Sequence, residues 1–290
     1  MALKVRVFSA LVFGPALLAA IFFASTPFFD WFCAALVALG GWEWARLAGV
    51  NQPALRALYA VASSLGVAIG LSLAGAELPP LPAFGEQPRG IARSVAYSAM
   101  LLWLVNLAWL SRRRFLGEVT VSSVFAKLGL GLVVLICAGI SLALIRHGDG
   151  GVARVLVFFL IIWAADVGAY AAGRLLGRRK LAPEISPGKT WEGVVGGQLL
   201  VAAVAGLCLL WLPEAWQPGP ALLLWAALTA AVSVVGDLYI SLLKRQRGIK
   251  DTGRLLPGHG GILDRFDSAF AAAPIFLAGL LASGSQALSS

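Results

Sequence analysis

Long apolar runs separated by short polar segments fill most of the 290-residue chain. Nine of these runs are long enough to cross about 30 Å of hydrocarbon as a helix that rises about 1.5 Å per residue. They lie at residues 7–25, 28–45, 54–76, 94–110, 121–145, 154–173, 193–212, 220–243 and 268–285. The pattern predicts an all-α, polytopic integral membrane protein with about nine transmembrane helices.

The composition agrees with a membrane location. Apolar residues make up 59% of the chain and charged residues only 13%, which excludes an ordinary soluble domain. The three cysteines lie inside apolar runs without CxxC spacing, so we expect neither disulfides nor a zinc site. The first run lacks a small-x-small cleavage site and is predicted to stay in the protein as its first helix.

Positive charge is concentrated in every second connection between the apolar runs. Most of the 23 lysines and arginines fall at the N-terminus and in alternate loops, which is typical of the cytoplasmic side. The N-terminus and the two longest basic loops, residues 174–192 and 244–267, are therefore predicted to be cytoplasmic. Because the net charge of +9 is confined to one face without an aromatic-rich basic module, we expect nucleotide and anionic lipids as partners and no nucleic acid.

The candidate chemistry is distributed unevenly between the two halves of the chain. Residues 1–150 are predicted to form a scaffold of N-terminal transmembrane helices. Residues 151–290 are predicted to form a C-terminal transmembrane catalytic region that carries the two basic loops. In the first half, the cluster Trp42-Glu43-Trp44 is interpreted as an interfacial aromatic belt with a pairing carboxylate.

Two aspartates of the second half fall inside predicted helices. Asp166 and Asp237 each lie roughly 10 to 12 Å inward from the basic end of their helix. A carboxylate at this depth is costly unless it is paired or bound to a cation, so both are candidate functional residues. Two carboxylates at one level on two helices can hold a divalent cation. The alternative is that each pairs with a basic residue such as Arg174 or Lys244.

A polar stripe leads from Asp237 into the most charged segment of the chain. Asp237, Ser241 and Lys244 follow one another at i, i+4 and i+7 and therefore share one helix face. Glycines beyond them allow close backbone approach and positive φ, which suits a loop that folds around phosphates. These glycines are Gly248, Gly253, Gly258, Gly260 and Gly261. The charged candidates in the same segment are Lys250, Asp251, His259, Asp264 and Asp267.

Asp267 is predicted to open the last helix, where acidic residues favour the positive end of the helix dipole. A helix cap is therefore the alternative role for Asp267. For Asp264, a metal or substrate role is the preferred interpretation.

The other cytoplasmic loop contains the sequence Ser186-Pro187-Gly188-Lys189-Thr190. It lacks both the GxxxxGK[ST] spacing and the preceding strand of a P-loop, which excludes a P-loop NTPase. Lys189 is a candidate phosphate contact, and Ser186 and Thr190 are candidate hydroxyl donors. The alternative is a capped, solvated loop.

The motifs of the second half follow a recognisable signature. It reads Ser-x-apolar-Lys-Arg, four residues, Lys-Asp-x-small, two residues, and apolar-small-x-His-Gly-Gly-apolar-x-Asp-Arg-apolar-Asp, and every fixed position is met from Ser241 to Asp267. With this signature the chain resembles the phosphatidate cytidylyltransferases, also called CDP-diacylglycerol synthases. The resemblance covers residues 163–268, whereas the first half is similar mainly in hydropathy and in the segment 43–46. Val167 and Ile240 depart from the family pattern.

The resemblance implies transfer of a cytidylyl group from CTP to phosphatidic acid, which releases pyrophosphate and leaves CDP-diacylglycerol in the bilayer. It also implies a multi-pass protein of the bacterial inner membrane whose active site faces the cytoplasm. Because the attacking phosphate monoester is already anionic, catalysis reduces largely to positioning and charge neutralisation by Mg²⁺ and basic side chains.

The resemblance also suggests roles for individual residues. The implied Mg²⁺ ligands are Asp237 and Asp264, with Asp166 as a further candidate. The implied catalytic residues are Asp237, Asp264, Lys244, Arg245, Lys250, Asp251, His259 and Asp267. The implied substrate-binding residues are Ser186, Lys189, Thr190, Ser241, Arg265, Gly260 and Gly261. For His259, the alternative is a structural role in ordering the turn at Gly260 and Gly261.

Two other functions stay open from the residues alone. Intramembrane aspartates and broken polar segments are also typical of ion-coupled secondary transporters, whose key charges lie near the bilayer midplane. A related membrane enzyme with another nucleotide or lipid acceptor, such as a polyprenol kinase, is the second alternative. The sequence does not distinguish CTP from dCTP, and it leaves a homodimer open.

Overall fold

The computed structural model describes residues 14–15, 17–76, 88–116, 123–211, 219–256, 258 and 260–283. Most of these residues are helical. The helices are α1 (Thr26–Ala48), α2 (Pro53–Leu73), α3 (Pro88–Leu116), α4 (Val124–Arg146), α5 (Gly151–Leu176), α6 (Trp191–Trp211), α7 (Ala221–Gln246) and α8 (Leu263–Ala282). Residues 17–23, ahead of α1, are also helical. The strands are β1 (Lys180–Ala182) and β2 (Ser186–Thr190).

Seven of the described helices, α2 to α8, are long and apolar enough to cross a membrane. Each overlaps one of the apolar runs read from the sequence. The chain is therefore an all-α, polytopic membrane protein, as predicted.

The helices alternate in direction, so their ends form two opposite faces. At one face the start of α1 meets the connection after α4, where His147 Nε2 lies 2.9 Å from Asp30 Oδ2. At the other face the end of α1 meets the start of α4, where Trp44 Nε1 donates to the carbonyl oxygen of Lys127 at 2.9 Å. Because α5 and α7 end at this second face, the connections after them also lie there. We call it the loop face.

The helix α8 lies at the centre of the bundle and is the most enclosed of the seven spans. It packs against α7, α4 and α3. Its side chains are buried almost without interruption from Phe266 to Leu280. The start of α8 is therefore a fixed platform at the loop face.

Glycines allow α5 and α6 to approach each other closely. A Cβ atom at Gly168 would lie 2.6 Å from the carbonyl oxygen of Gly196, and one at Gly197 would lie 2.7 Å from that of Ala165. Both distances are shorter than packed side chains tolerate, so larger residues would push the helices apart. The contact holds the end of α5 against the start of α6.

The connection between these two helices contains an antiparallel hairpin of β1 and β2, which the sequence pattern did not predict. The Glu192 carboxylate, in the first turn of α6, accepts hydrogen bonds from the backbone N–H groups of Arg178 and Arg179 at 3.1–3.2 Å. The Trp191 N–H donates to the Arg179 carbonyl oxygen at 2.9 Å. The predicted loop at 174–192 is thus a structured element, whose strands are too short and polar to show hydrophobic alternation.

Candidate active site

A cavity of about 770 Å³ lies among the ends of α5, α7 and α8 at the loop face. Its charged and hydroxyl-bearing lining is formed by Asp166, Asp237, Ser241, Lys244, Arg245, Lys250, Asp251, Asp264, Arg265, Asp267 and Ser268. Apolar side chains form much of the remaining wall, among them Leu17, Phe159, Ile162, Trp163 and Phe266. The cavity therefore joins a charged end to an apolar side.

Asp237 lies in the acidic part of this cavity. Its Oδ1 accepts a hydrogen bond from the Ser241 hydroxyl at 3.2 Å, as their i, i+4 spacing predicts. Its Oδ2 lies 2.5 Å from the ammonium nitrogen of Lys189, which reaches it from β2. Asp166 on α5 and Asp267 on α8 each interact electrostatically with Asp237 and with Lys189. Three helices thus bring carboxylates together around one lysine.

Asp264, at the start of α8, has both carboxylate oxygens engaged. Its Oδ1 lies 2.8 Å from the ammonium nitrogen of Lys244. Its Oδ2 accepts hydrogen bonds from the N–H groups of Thr252 and Gly261 and from the Thr252 hydroxyl, at 2.8–2.9 Å. Asp237 therefore does pair with a basic residue, as the alternative held, but the partner is Lys189, whereas Lys244 pairs with Asp264.

Glu43, near the end of α1, anchors the same loop from the first half of the chain. Only 2% of Glu43 is exposed. Its Oε1 accepts a hydrogen bond from the N–H of Ile262, and its Oε2 accepts from the N–H of Leu263 and the Thr252 hydroxyl, at 2.8–3.0 Å. The first N–H groups of a helix have no partner within it, and a carboxylate is favoured at the positive end of the helix dipole. Glu43 therefore caps α8 through space.

This position contradicts the interpretation of Trp42-Glu43-Trp44 as an interfacial belt. Glu43 and Trp44 are buried, and only Trp42 stays partly exposed, with the Arg56 guanidinium 4.1 Å from its ring centroid. The prediction failed because the groups that donate hydrogen bonds to Glu43 belong to residues far away in the chain. Glu43 is the site residue that sequence reasoning missed.

The last helix starts earlier than predicted, at the residues that Glu43 contacts. That helix begins at Leu263 and not at residue 268 as predicted. Asp264 and Asp267 therefore lie in its first two turns, so Asp267 does not open the helix. The apolar pattern alone did not show this start, because the residues from 263 to 267 are mostly charged.

The glycines of the loop serve the two purposes expected of them. Gly248, Gly258 and Gly260 have φ values of +67°, +74° and +86°, a region that residues with a Cβ atom rarely adopt. Gly253 and Gly261 allow close approach, since a Cβ atom at either would lie 2.3 Å from a Glu43 carboxylate oxygen. Both expectations are confirmed.

The remaining basic candidates also lie at the cavity. Arg245, Lys250 and Arg265 add positive charge to its lining. The Arg245 Nε donates to the Ile185 carbonyl oxygen at 3.3 Å, which ties the end of α7 to the hairpin. Basic side chains from α7, from the loop that follows it and from α8 therefore line the same cavity as the carboxylates.

Five of the predicted substrate-binding residues lie outside the cavity lining: Ser186, Lys189, Thr190, Gly260 and Gly261. The Thr190 hydroxyl is buried and accepts a hydrogen bond from the Gly193 N–H at 3.1 Å, at the start of α6. The Gly261 N–H donates to Asp264. Their contacts with substrate stay predictions. His259 lies outside the described residues.

Comparison with known proteins places the chain in a family. Residues 4–282 match the cytidylyltransferase family. The chain belongs to that family. A phosphatidate cytidylyltransferase of Pseudomonas aeruginosa is 42% identical over 283 residues, which cover 97% of this chain and 98% of that protein. A phosphatidate cytidylyltransferase of Haemophilus influenzae is 36% identical over 285 residues, which cover 94% of this chain and 97% of that protein.

A third relative matches a shorter part of the cytidylyltransferase. A phosphatidate cytidylyltransferase of Synechocystis is 48% identical over 128 residues, or 43% of this chain and 42% of that protein. The full-length matches include the scaffold helices, so the family likeness extends well beyond the motifs that suggested it. The resemblance inferred from the motifs is confirmed.

The acidic cluster of the cytidylyltransferase suits a hard divalent cation in the kind of donor it offers. Asp166, Asp237 and Asp267 present only carboxylate oxygens, which are the ligands that Mg²⁺ prefers. Within the described part of the chain, no group of three or more His, Cys, Asp or Glu side chains stands ready to hold a metal. Lys189 instead supplies the cation at Asp237 Oδ2. The three carboxylates therefore suit Mg²⁺ in the type of ligand atom, and the Lys189 ammonium lies beside one of them.

Proposed function

We propose that this cytidylyltransferase transfers CMP from CTP to phosphatidic acid and is thus a phosphatidate cytidylyltransferase. Its products are CDP-diacylglycerol, which stays in the bilayer, and pyrophosphate. The observation that carries the proposal is the cavity itself, which joins a dense set of charged side chains to an apolar wall in a membrane protein. The full-length likeness to two phosphatidate cytidylyltransferases supports it.

The two sides of the cavity match the two parts of the lipid substrate. Phosphatidic acid carries a phosphate monoester on an apolar diacylglycerol, so its headgroup needs cations and its chains need hydrocarbon. Arg245, Lys250 and Arg265 would bind the headgroup and the CTP triphosphate. Phe159 and Trp163, from deeper in α5, would contact the glycerol end of the chains. Few soluble substrates need both surfaces in one cavity.

The reaction needs little acid–base chemistry from the protein. A phosphate oxygen of phosphatidic acid attacks the α-phosphorus of CTP, and the bond from that phosphorus to the α,β-bridging oxygen breaks. Pyrophosphate leaves with the electron pair of that bond. Because both reactants are anions, the main barrier is to bring them together, and the basic side chains lower it by positioning and neutralising them. Lys244, held by Asp264, would be fixed in place for this role.

Mg²⁺ is the proposed cofactor, with Asp237 and Asp166 among its ligands and Asp267 beside them. When bound, this ion would polarise phosphoryl oxygens and offset the charge of the triphosphate. Asp264 also remains a proposed ligand, although the four hydrogen bonds and ion-pair contacts at its oxygens favour a role in ordering the loop. The proposal therefore takes Asp237 and Asp166 as the first candidates for the metal, with Asp264 as a further one that also orders the loop.

The finer topology is part of the same proposal. Adding α1 and the predicted run at 7–25, of which residues 17–23 are described as helical, to the seven apolar helices would make nine spans, with the N-terminus in the cytoplasm. The clustering of the described basic loops at the loop face supports a cytoplasmic active site in a bacterial inner membrane. A homodimer and the absence of nucleic-acid binding stay predictions, which light scattering and a gel-shift assay would test.

The decisive experiment measures pyrophosphate release by the purified protein in detergent with Mg²⁺. The arms contain CTP with phosphatidic acid, CTP alone, dCTP with phosphatidic acid, and ATP with phosphatidic acid. Release that requires both a cytidine nucleotide and phosphatidic acid supports the proposal. Pyrophosphate release with ATP would replace it with a related nucleotidyltransferase, whereas release of a nucleoside diphosphate with a polyprenol as acceptor would indicate a lipid kinase. Solute movement across vesicles without pyrophosphate release would indicate a transporter.

A further inference from the structure

Lys189 is the counter-ion of the acidic cluster. Its ammonium nitrogen lies 2.5 Å from Asp237 Oδ2, and it also interacts electrostatically with Asp166 and Asp267. One ammonium group therefore pairs with one carboxylate and attracts two others from neighbouring helices. The pair is partly open to solvent, since 27% of the Lys189 side chain and 30% of the Asp237 side chain are exposed. Exchange of this cation for another does not require unfolding.

A lysine ammonium and a divalent cation compete for the same carboxylate. A Mg²⁺ ion lies about 2.0 to 2.1 Å from each ligand oxygen. The Lys189 ammonium, 2.5 Å from Asp237 Oδ2, takes up one of the acceptor positions of that oxygen and repels a second cation. Binding of a metal at Asp237 therefore favours release of Lys189 from Oδ2.

The backbone around Lys189 is held while its side chain is long. The Trp191 N–H bonds to Arg179, the Thr190 hydroxyl accepts from Gly193, and Arg245 bonds to Ile185 on the other side of the hairpin. The four methylene groups of a lysine allow its ammonium to move without displacing these contacts. A released ammonium would stay beside the cavity, where a triphosphate brings new negative charge.

We propose that Lys189 holds the acidic cluster together before loading, yields Asp237 to a divalent cation, and then neutralises the triphosphate. This inference rests on the proposed function, because CTP is the polyanion that takes up the released ammonium. It differs from simple phosphate binding by Lys189. A lysine that only binds phosphate would not compete with the metal, whereas a resident counter-ion must.

The test measures Mn²⁺ binding to the full-length protein in detergent without nucleotide, by electron paramagnetic resonance. Lys189→Met should bind Mn²⁺ about fivefold more tightly than the wild type, the scale expected for removing one competing ion pair at a half-exposed site. Lys189→Arg keeps the positive charge and should stay near the wild type. Lys180→Met is the matched control, because Lys180 is exposed in β1 of the same hairpin. It should change neither Mn²⁺ binding nor activity.

Three outcomes would overturn the inference. They are unchanged Mn²⁺ affinity in Lys189→Met, weaker affinity in Lys189→Met, and no Mn²⁺ binding by any variant. Lys189→Gln provides a second variant if the methionine variant does not fold. In an Asp237→Asn background, the effect of Lys189→Met should disappear, because the competition occurs at that carboxylate.

The second arm measures turnover, so that the two proposals can fail separately. Lys189→Met should raise the KM for CTP about tenfold, as expected from the loss of one charge contact to phosphate. A wild type that releases no pyrophosphate from CTP and phosphatidic acid would contradict the proposed function. An active wild type with unchanged Mn²⁺ affinity in Lys189→Met would contradict the role of Lys189 alone.

Discussion

Asp237 and Asp264 line one cavity, yet their surroundings differ. The Asp264 side chain is 6% exposed and contacts Lys244, two backbone N–H groups and a hydroxyl. The Asp237 side chain is 30% exposed and contacts one lysine and one hydroxyl. A buried carboxylate that accepts several hydrogen bonds stabilises the fold around it, whereas a partly exposed one can exchange its partners. The same residue type therefore serves two roles within one site.

The Asp264 carboxylate belongs to a larger hydrogen-bonded unit that includes Glu43. The Thr252 hydroxyl lies 2.9 Å from an oxygen of Glu43 and 2.9 Å from an oxygen of Asp264. It has one proton and can donate to only one of them at a time. The backbone N–H groups around it satisfy the remaining lone pairs. This unit, Glu43-Thr252-Asp264, joins the first half of the chain to the second half.

The largest effect on activity is expected from Asp237→Asn. Turnover should fall by about a hundredfold to a thousandfold, the usual cost of losing one electrostatic contact to the reacting groups. Stability should hardly change, because a half-exposed ion pair contributes about 0–1 kcal/mol. Pyrophosphate release and thermal unfolding in detergent measure the two effects. Asp149→Asn, at the opposite face, is the control and should change neither.

Asp264→Asn sharpens this comparison. The substitution replaces one carboxylate oxygen, an acceptor, with an amide N–H₂, a donor. Lys244 and the backbone N–H groups around this side chain can only donate, so both activity and the unfolding temperature should fall. If Asp264→Asn were as stable as the wild type but inactive, Asp264 would belong with Asp237 as a metal ligand. Near-normal activity in Asp237→Asn would remove the metal assignment.

The largest effect on stability is expected from Glu43→Ala. It leaves the N–H groups of Ile262 and Leu263 without a side-chain acceptor, and each unsatisfied buried donor costs about 1–3 kcal/mol. The free energy of unfolding should therefore fall by about 3 kcal/mol. Thermal unfolding in detergent measures this change. Glu184→Gln is the control, because Glu184 is exposed between β1 and β2. A fully stable Glu43→Ala protein would show that the start of α8 does not depend on this cap.

The parts of the molecule that follow from local spacing were predictable from the sequence. Apolar runs of membrane-spanning length marked the helices, because each forms its own hydrogen bonds in hydrocarbon. The contact between Asp237 and Ser241 follows from their i, i+4 spacing on one helix. The glycines of the loop could be interpreted because positive φ and close approach exclude a Cβ atom.

The parts that depend on distant contacts were not predictable. The role of Glu43 depends on residues more than two hundred positions away. The pairing of Lys189 with Asp237 depends on a hairpin without a hydrophobic pattern. One signal was present for Glu43, because a carboxylate inside an apolar run is costly without partners. That reasoning singled out Asp166 and Asp237, and it applied equally to Glu43.

A smaller effect is expected from Thr252→Val, which removes the hydroxyl between Glu43 and Asp264 but keeps the shape of the side chain. The carboxylate oxygen that accepts the single hydroxyl proton would lose a donor, so the free energy of unfolding should fall by about 1–3 kcal/mol. Thr252→Ser keeps the hydroxyl and should recover most of that loss. Thermal unfolding with both variants separates the hydrogen bonds from the packing. An equal loss in both variants would assign the effect to the methyl group.

The smallest effect is expected from Ser241→Ala, beside Asp237, the more exposed of the two aspartates. The hydroxyl bonds to Asp237 Oδ1 at 3.2 Å, which is long for an O–H donor, so little binding energy is lost with it. Turnover should fall less than about tenfold, the equivalent of one ordinary hydrogen bond, and the unfolding temperature should stay the same. Ser94→Ala on α3 is the control, because the Ser94 hydroxyl is exposed and bonds within its own helix, to the Gly90 carbonyl oxygen. A loss as large as that of Asp237→Asn would mean that Ser241 contacts the reacting groups directly.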